Sequence, residues 1–278
     1  MASTPNFPSI ADKDMPQWES WIEGVTGILL RGRKRVLEQG IYPRLLACGV
    51  STLEEYQRLV DSSVEGQAEK LALIDQLTVK DSSFFRSKKS MTAVGEYLRR
   101  RAREVASEDY EFRIWSVGCA LGQEAYSLAM IASEQFAYTP QKWRVLATDI
   151  SPSAVTYAAA GHYADKQVSG LSAHRMRHFF GREEDGWQVD KSLRNKLRFG
   201  TSNLKNIETC PYAELDIIYC QNVLIYFRDE LVNHIISELV KRLRPGGILV
   251  LGAGEAPNWK SSEVARWRPE TLNAYRVR

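Results

Sequence analysis

The sequence predicts a doubly wound, parallel α/β sheet that follows an all-helical region. Three observations favour this fold. Short apolar runs alternate with helix-forming segments from about residue 110 onward, which is typical of a sheet with helices on both faces. The first of these runs ends in a glycine turn that opens at once into a helical segment. Residues 14–75, in contrast, carry apolar side chains at helical spacing.

The region 14–75 is expected to contain several helices. Ser51-x-x-Glu54 has the spacing of a capping box, in which a hydroxyl and an acid satisfy the free N–H groups at the start of a helix. The glycines expected to separate these helices are Gly40, Gly49 and Gly66.

The α/β region is expected to contain four buried strands, because each apolar run has strand length and ends in a turn. They are residues 113–117, 144–148, 215–220 and 247–251. Between the second and third, residues 163–198 hold a helix at 172–180, a turn, and alternation in Trp187-Gln-Val189. This pattern indicates a small inserted helix and hairpin.

The glycine turn at Gly118 and Gly122 is the first candidate for binding. Glycine adopts strained backbone angles and leaves room for a ligand, while the helix that follows offers free N–H groups. Asp149 ends the second predicted strand, where an acid can accept both hydroxyls of a ribose. Together these residues point to an adenosine-containing ligand.

Three such ligands compete. A dinucleotide site prefers G-x-G-x-x-G with its acid about 20 residues on, whereas Asp149 lies 27 residues past Gly122. A P-loop needs a Lys after its last glycine, and none follows Gly122. Glu124 at the helix start repels a pyrophosphate and suits a cation. S-adenosylmethionine, a cationic sulfonium without phosphate, fits best, and an ordinary nucleotide-binding turn remains the plain alternative.

Composition places the chain among globular proteins: 278 residues, 44% hydrophobic, with no uncharged apolar run of about 18 residues. The N-terminus lacks the basic segment and the apolar segment of a secretory signal peptide, so a cytoplasmic protein is expected. The four cysteines form no C-x-x-C, and the pair His174 and His178 lacks a third ligand. No metal is expected.

The net charge is +3, with the positive residues concentrated in three runs, at 31–35, 86–89 and 99–103. Such runs are usually solvated helix faces. Three in one region also fit a docking surface for an acidic partner, either a nucleic acid or an acidic helical bundle.

Five motifs resemble those of the CheR family, the S-adenosylmethionine-dependent methyltransferases that esterify glutamates on chemotaxis receptors. Four are residues 112–130, Ala147-Thr-Asp149-Ile, QNVLIYF and LRPGGILVLGAGE. The fifth, Thr78-Val-Lys-Asp-Ser-Ser-Phe-Phe-Arg86, resembles the family's linker. The similarity runs from about residue 25 to the C-terminus.

The resemblance implies an all-α N-terminal domain with its linker at 1–90 and a Rossmann-like S-adenosylmethionine methyltransferase domain at 91–278. A small antiparallel β-subdomain at 163–199 is inserted in the latter. The implied cofactor is S-adenosylmethionine, with S-adenosylhomocysteine as product. By motif position the implied cofactor-binding residues are Lys80, Ser82, Arg86, Gly118, Glu124, Asp149, Asn203, Leu204, Gln221 and Asn222. Arg101, or a neighbour in its basic run, and Tyr226 are implied to lie near the transferred methyl group.

The chain also departs from the family pattern. Ala120 and Leu121 replace two hydroxyl residues of the glycine turn, although Glu124 and Tyr126 are kept. The loop at 181–187 is short and acidic, whereas a longer, glycine-rich loop accompanies docking to a receptor's C-terminal tether peptide in this family. Weaker or retuned cofactor binding and tether-independent recognition are therefore expected.

The resulting hypothesis is methylation of glutamate side chains on the cytoplasmic helical bundle of a methyl-accepting chemoreceptor. The enzyme is expected to be a monomer that binds no nucleic acid and does not insert into a membrane. Two alternatives stay open: a non-catalytic CheR-like domain that binds S-adenosylmethionine or S-adenosylhomocysteine, and an RNA or small-molecule methyltransferase.

Overall fold

The computed structural model describes residues 10–62, 66–105 and 109–278. The chain forms two compact units. The first, the helical unit, contains Met1–Val79 together with Tyr226–Leu231. The second, the α/β unit, contains Lys80–Ile225 and Val232–Arg278. No helix in the described ranges has both the length and the apolar composition needed to cross a membrane.

The helical unit is built around its own apolar core. Its helices are α1 (Met15–Thr26), α2 (Lys34–Cys48), α3 (Leu53–Asp61) and α4 (Gly66–Leu77). Trp18 of α1 stacks on Tyr56 of α3, with ring centroids 5.8 Å apart. Glu69 of α4 is buried in this core and accepts hydrogen bonds from Tyr56, at 2.5 Å, and from Arg44 of α2. Because each polar group there has a partner, burying the acid is tolerated.

Two predictions about these helices were wrong in detail. The capping box is formed one residue later than predicted, by Thr52 and Glu55. Gly40 lies inside α2 and does not separate two helices. A Cβ there would come 2.4 Å from a methyl carbon of Leu77. Gly40 is therefore needed for the close approach of α2 and α4.

The rest of the chain alternates helices and strands. The helices are α5 (Lys88–Glu104), α6 (Gln123–Gln135), α7 (Pro152–Ala160), α8 (Asp165–Val168), α9 (Ala173–Phe179), α10 (Lys191–Arg194) and α11 (Asp229–Lys241). The strands are β1 (Glu111–Val117), β2 (Lys142–Asp149), β3 (His162–Tyr163), β4 (Phe180–Glu183), β5 (Gly186–Val189), β6 (Leu197–Thr201), β7 (Leu215–Cys220), β8 (Leu243–Leu251), β9 (Val264–Arg266) and β10 (Asn273–Val277). Short 3-10 turns span Leu204–Thr209 and Leu224–Tyr226.

The main sheet has the order β6-β2-β1-β7-β8-β10-β9. The five neighbouring strands β6, β2, β1, β7 and β8 pair in parallel. Strand β10 is antiparallel to both β8 and β9. The parallel strands therefore present their carboxyl ends along one edge, and the strand order reverses between β1 and β7. An open parallel sheet binds its ligand at such a reversal. The predicted doubly wound fold is confirmed.

Of the predicted strands, β7 has the predicted bounds and β1 and β2 are longer by a few residues. The fourth was predicted to begin at residue 247 but begins at Leu243. Its pairing with β7 is irregular there, because Leu215 faces Leu243 whereas Ile217 faces Ile248. The Pro245-Gly246-Gly247 stretch is thus a bulge inside β8, in which Gly246 has φ +79°. Strands β6, β9 and β10 were not predicted.

The inserted segment forms a small antiparallel sheet of order β3-β5-β4, followed by α10. Gly186 pairs with Glu183 across a tight β4–β5 turn. The predicted helix is α9, with Ser172 as its N-cap.

Candidate functional site

The glycine turn after β1 folds back onto β2. The backbone N–H groups of Gly118 and Cys119 both donate to the carbonyl of Thr148, at 2.8 and 2.9 Å. Gly118 and Gly122 have φ values of +70° and +89°. This sharp reversal brings the start of α6 to the carboxyl edge of the sheet.

The room left by the two glycines is filled by the chain itself. A Cβ on Gly118 would come 2.4 Å from Val223, and one on Gly122 would come 2.7 Å from Ala158. Next to Gly122, the carbonyl of Leu121 accepts a 2.7 Å hydrogen bond from the Tyr163 hydroxyl of the small sheet. The missing Cβ atoms therefore serve packing, which differs from the expectation that they make room for a ligand.

Asp149 lies at the end of β2, as predicted. One carboxylate oxygen accepts from the N–H of Ala120 at 2.8 Å, and the other accepts from the N–H of Ser151 at 2.9 Å. Burial raises the pKa of Asp149 above its ordinary value, although both N–H groups act to lower it. The carboxylate is thus held rigidly, and each oxygen keeps a lone pair for a further donor.

Glu124 lies in the first turn of α6 and is partly buried. Its Oε1 accepts a 2.7 Å hydrogen bond from the hydroxyl of Ser116. Burial raises the pKa of Glu124 to about 8, with the Ser116 bond opposing this rise. The negative charge of Glu255 also raises this pKa, and the positive charge of Arg86 lowers it. A partly buried acid with a raised pKa is well suited to pair with an incoming cation.

The linker before α5 carries three of the predicted residues. Lys80 Nζ donates to the hydroxyl of Ser153 at 2.8 Å, and its charge lowers the pKa of Asp149. Arg86 is exposed and lies near enough to Glu124 to lower its pKa. Ser82 is partly buried on the same segment.

Aromatic residues fasten this linker to the α/β unit. Phe84 packs edge-on against Tyr163 and Phe180, at centroid distances of 5.0 and 5.7 Å. The N–H of Phe85, whose φ is +53°, donates to the hydroxyl of Ser127 on α6. Arg86 follows Phe85 directly and therefore lies beside α6, the helix that contains Glu124.

Asn203 and Leu204 follow β6, whose carboxyl end adjoins Asp149. The Asn203 side chain accepts from the N–H of Lys205 at 2.9 Å and caps the 3-10 turn. Leu204 is buried. The N–H of Ser202 donates to the backbone carbonyl of Asp149 at 2.9 Å, so the two strand ends are joined.

Gln221 and Asn222 follow β7. The Gln221 amide donates to Ser90 and to the carbonyl of Leu251, both at 3.0 Å, and accepts from Tyr219. Its hydrogen bonds are thus made within the protein. Asn222 is exposed and has φ +60°, a conformation that Asn tolerates better than most residues.

Glu255 is a site residue that the sequence reasoning missed. Its side chain is 3% exposed. One oxygen accepts from the N–H groups of Val223 and Leu224, both at 2.9 Å, and the other accepts from the N–H of Gly252 at 2.6 Å. Glu255 therefore fixes the loop after β7 to the loop after β8. Its position in the last CheR-like motif was the available signal.

The placement of Arg101 corrects the prediction made for it. Its guanidinium donates to the carbonyl of Pro245 at 3.1 Å and to Glu104 at 3.3 Å. Pro245 lies near the amino-terminal end of β8, whereas the predicted cofactor contacts lie at the carboxyl ends. Because α5 rises about 1.5 Å per residue, Arg101 lies on the order of 20 Å along the helix from Lys88. The role predicted for Arg101 was implied by the family resemblance, which does not give this distance.

Tyr226, the other predicted catalytic residue, ends a 3-10 turn four residues after Asn222 and belongs to the helical unit. Its carbonyl accepts from the N–H of Leu29 at 2.8 Å, and the guanidinium of Arg33 lies 5.6 Å from its ring centroid. Its catalytic role stays a prediction.

The two thiols near the site are inert core groups. Cys119 and Cys220 are buried, and burial raises the pKa of each thiol well above its ordinary value. The chain's four histidines, all within the described ranges, lie on β3, α9 and α11, and none is in the loops that directly follow β1, β2, β7 and β8.

This site fits a cationic adenosine derivative better than a nucleotide phosphate. Asp149 presents a fixed acceptor for ribose hydroxyls, and Glu124 presents an acid at the helix start, where a phosphate would otherwise bind. The residues present therefore fit S-adenosylmethionine, which would supply an electrophilic methyl group on sulfur.

Comparison with known proteins agrees with this geometry. The family model described as CheR methyltransferase, SAM binding domain, matches residues 80–271. The chain is 32% identical to chemotaxis protein methyltransferase 1 of Pseudomonas aeruginosa, over 90% of this chain and 92% of that protein. It is 29% identical to the chemotaxis protein methyltransferase of Escherichia coli, over 82% of this chain and 79% of that protein. It is 30% identical to the chemotaxis protein methyltransferase of Vibrio parahaemolyticus, over 89% of this chain and 90% of that protein.

These matches establish S-adenosylmethionine as the cofactor and methyl transfer as the activity. Four of the five motifs on which the resemblance rested lie entirely within the matched region, and the linker motif begins two residues before it. The chain belongs to the CheR methyltransferase family.

Proposed function

We propose that this methyltransferase esterifies glutamate side chains on the cytoplasmic helical bundle of a methyl-accepting chemoreceptor. The names of its relatives, chemotaxis protein methyltransferases, support a chemosensory role. The observation that carries the substrate class is that, in the described part of the chain, no histidine lies in the loops that directly follow β1, β2, β7 and β8. Such a site suits a nucleophile that needs no general base.

A glutamate carboxylate is such a nucleophile. Its reference pKa is about 4.3, so it is ionised at neutral pH and attacks the methyl carbon directly. The protein must strip water from the carboxylate and align it with the methyl–sulfur bond. The carbon–sulfur bond would break in the same step as the oxygen–carbon bond forms, and its electron pair would stay on sulfur in the departing S-adenosylhomocysteine.

The site residues divide into two proposed groups. Asp149 binds the ribose, Glu124 pairs with the cofactor's ammonium, and Arg86 pairs with its carboxylate. The remaining members of the proposed cofactor site are Lys80, Ser82, Gly118, Asn203, Leu204, Gln221 and Asn222. Tyr226 is the hydroxyl proposed to orient the substrate carboxylate. Arg101 is left out, because its guanidinium is engaged at the other end of β8.

The proposal includes recognition without a receptor tether peptide. The β4–β5 connection is a tight turn, and its sequence is acidic where a glycine-rich loop would accompany tether docking. We further propose that the enzyme acts as a cytoplasmic monomer. Receptors with and without their C-terminal peptide should be methylated at equal rates, and a large loss for the shortened receptor would contradict this part.

The test of the main proposal uses methyl-labelled S-adenosylmethionine and receptor-containing membranes. Label on the receptor that mild alkali releases as methanol supports carboxyl esterification, and Asp149→Ala should abolish it. Alkali-stable label would indicate N-methylation and favour an RNA or small-molecule type of chemistry. Tight cofactor binding with no transfer to any receptor tested would favour a non-catalytic sensor.

A further inference from the structure

Three potential metal ligands meet on the small sheet, outside the cofactor site. His162 Nε2 lies 3.1 Å from a carboxylate oxygen of Asp185 and 3.6 Å from one of Glu183. One ligand atom from each of the three residues lies within 4.8 Å of the others. His162 belongs to β3, Glu183 ends β4, and Asp185 is in the β4–β5 turn, so the group joins separate segments.

The imidazole is held toward the two acids by packing. A Cβ on Gly186 would come 2.8 Å from His162 Cε1 and 3.1 Å from Nε2, so the ring rests against the backbone of this glycine. Its Nε2 is shielded from solvent and makes no well-aligned hydrogen bond within the described chain, although Asp185 is 3.1 Å away. A nitrogen that is close to two carboxylates without such a bond is placed as a ligand would be.

The two separations measured from His162 Nε2 match a shared metal ion. Zinc binds His nitrogen at about 2.0–2.1 Å and carboxylate oxygen at about 2.0–2.2 Å, usually as a tetrahedron. Two ligand atoms of such a tetrahedron lie about 3.4 Å apart. The two measured separations, 3.1 and 3.6 Å, fall on either side of this value.

The local charge favours a cation as well. Glu183, Glu184 and Asp185 are consecutive acids at the hairpin tip. The neighbouring Arg182 pairs with Asp165 on α8 instead. A divalent ion bound by two carboxylates and a neutral imidazole balances their charge.

We propose that His162, Glu183 and Asp185 form a binding site for a divalent transition-metal ion of the zinc class. One imidazole and two carboxylates are ligands that suit Zn²⁺, Mn²⁺ or Fe²⁺ better than Mg²⁺, which prefers oxygen ligands and retains its water. Three protein ligands leave a coordination position open. The bound ion would link β3 to the β4–β5 hairpin.

The experiment is a Zn²⁺ titration of the full, tag-free, chelator-treated chain, followed by calorimetry. One equivalent should bind to the unaltered protein, and the affinity should fall at least tenfold in Asp185→Asn and in His162→Gln. The Asp185 side chain is 84% exposed, so its substitution should leave the fold intact. A circular-dichroism melt without metal verifies this.

Two matched controls separate this site from incidental binding. Glu208→Gln removes an acid that faces His234 at 3.5 Å in a two-member pair. The double variant His174→Gln, His178→Gln removes two imidazoles stacked on α9 with centroids 6.1 Å apart. Both controls should bind Zn²⁺ as the unaltered protein does. The proposal is overturned if the unaltered chain binds no equivalent, or if Asp185→Asn and His162→Gln bind as tightly as it does.

Discussion

Ser116, near the end of β1, donates a 2.7 Å hydrogen bond to Glu124 in the first turn of α6. The serine is fully buried, and the acid it supports has a pKa raised by burial to about 8. At neutral pH the free protein therefore holds this carboxyl mostly protonated. Its ionisation is coupled both to folding and to the arrival of a cation.

The stability of the protein should depend on pH through Glu124. The folded-state pKa of about 8 exceeds the ordinary 4.5, so the unfolded state releases this proton first. The contribution to the free energy of unfolding is then fully present below pH 4.5 and is lost as pH rises toward 8. Glu124→Gln should raise the free energy of unfolding at pH 8 by about 4 kcal/mol, because each pH unit between 4.5 and 8 costs about 1.4 kcal/mol, and should change it little at pH 4.5.

Urea unfolding of both proteins at the two pH values measures this effect. Glu208→Gln is the control, and its effect on stability should have the opposite dependence on pH. The pKa of Glu208 is lowered in the folded state, mainly by a backbone hydrogen bond. An equal response of Glu124→Gln at both pH values would show that burial does not disfavour the Glu124 carboxylate.

Cofactor binding should release a proton near pH 7. A cationic amino group beside Glu124 favours the carboxylate and lowers its pKa, so the affinity for S-adenosylmethionine should increase as pH rises toward 8. Calorimetry in two buffers of different ionisation enthalpy measures the number of protons released. The number should be close to one in the unaltered protein and near zero in Glu124→Gln, which should also bind at least tenfold more weakly.

Substitution of Asp149 should remove most cofactor affinity. Asp149→Ala eliminates the acceptor for the ribose hydroxyls and frees the N–H groups of Ala120 and Ser151. Binding should weaken about a hundredfold, on the order of 2.8 kcal/mol.

Ser151→Ala is the matched control for Asp149. It removes the side-chain cap of α7, which accepts from Ala154 N at 3.1 Å, and should cost about 1 kcal/mol of stability. Its cofactor affinity should stay within a factor of two or so. Equal affinity in Asp149→Ala and the unaltered protein would show that the ribose is bound elsewhere.

Glu255→Ala should loosen the loops after β7 and β8 together. It leaves the N–H groups of Val223, Leu224 and Gly252 without their acceptor, at a cost of roughly 3 kcal/mol. Amide hydrogen exchange should accelerate at these three positions. Glu255→Gln keeps one acceptor oxygen, so its exchange rates should lie between those of the unaltered protein and those of Glu255→Ala. Unchanged exchange in Glu255→Ala would contradict the role given to this acid.

The central sheet could be predicted because its buried strands appear in the sequence as runs of mostly apolar residues. β7 is buried at all six residues and, apart from Asp216, reads as an apolar run between Glu214 and Gln221, so its bounds were predicted correctly. β9 and β10 carry charged residues; β10 is held by pairing with β8, and β9 by pairing with β10, which no local pattern expresses. The bulge in β8 resembled a turn, because Pro and Gly occur in both.

The site was predictable only in part, for a similar reason. Asp149 ends a strand, and strand ends in a parallel sheet meet at one edge, so its position followed from the pattern. Glu255 and the Gly118 contact with Val223 join segments that are distant in sequence. Arg101 was misplaced because a basic run does not tell which end of a helix lies near the cofactor.

The hydrogen bond from Tyr163 to the Leu121 carbonyl connects the small sheet to the glycine turn. Tyr163 also packs against Phe84 of the linker, and it directly follows His162. A ligand that binds the small sheet and displaces this tyrosine would therefore remove a contact of the glycine turn and a contact of the linker together. If cofactor affinity changed as a result, cofactor occupancy would change the affinity of that ligand by the same factor, because coupling free energies are reciprocal.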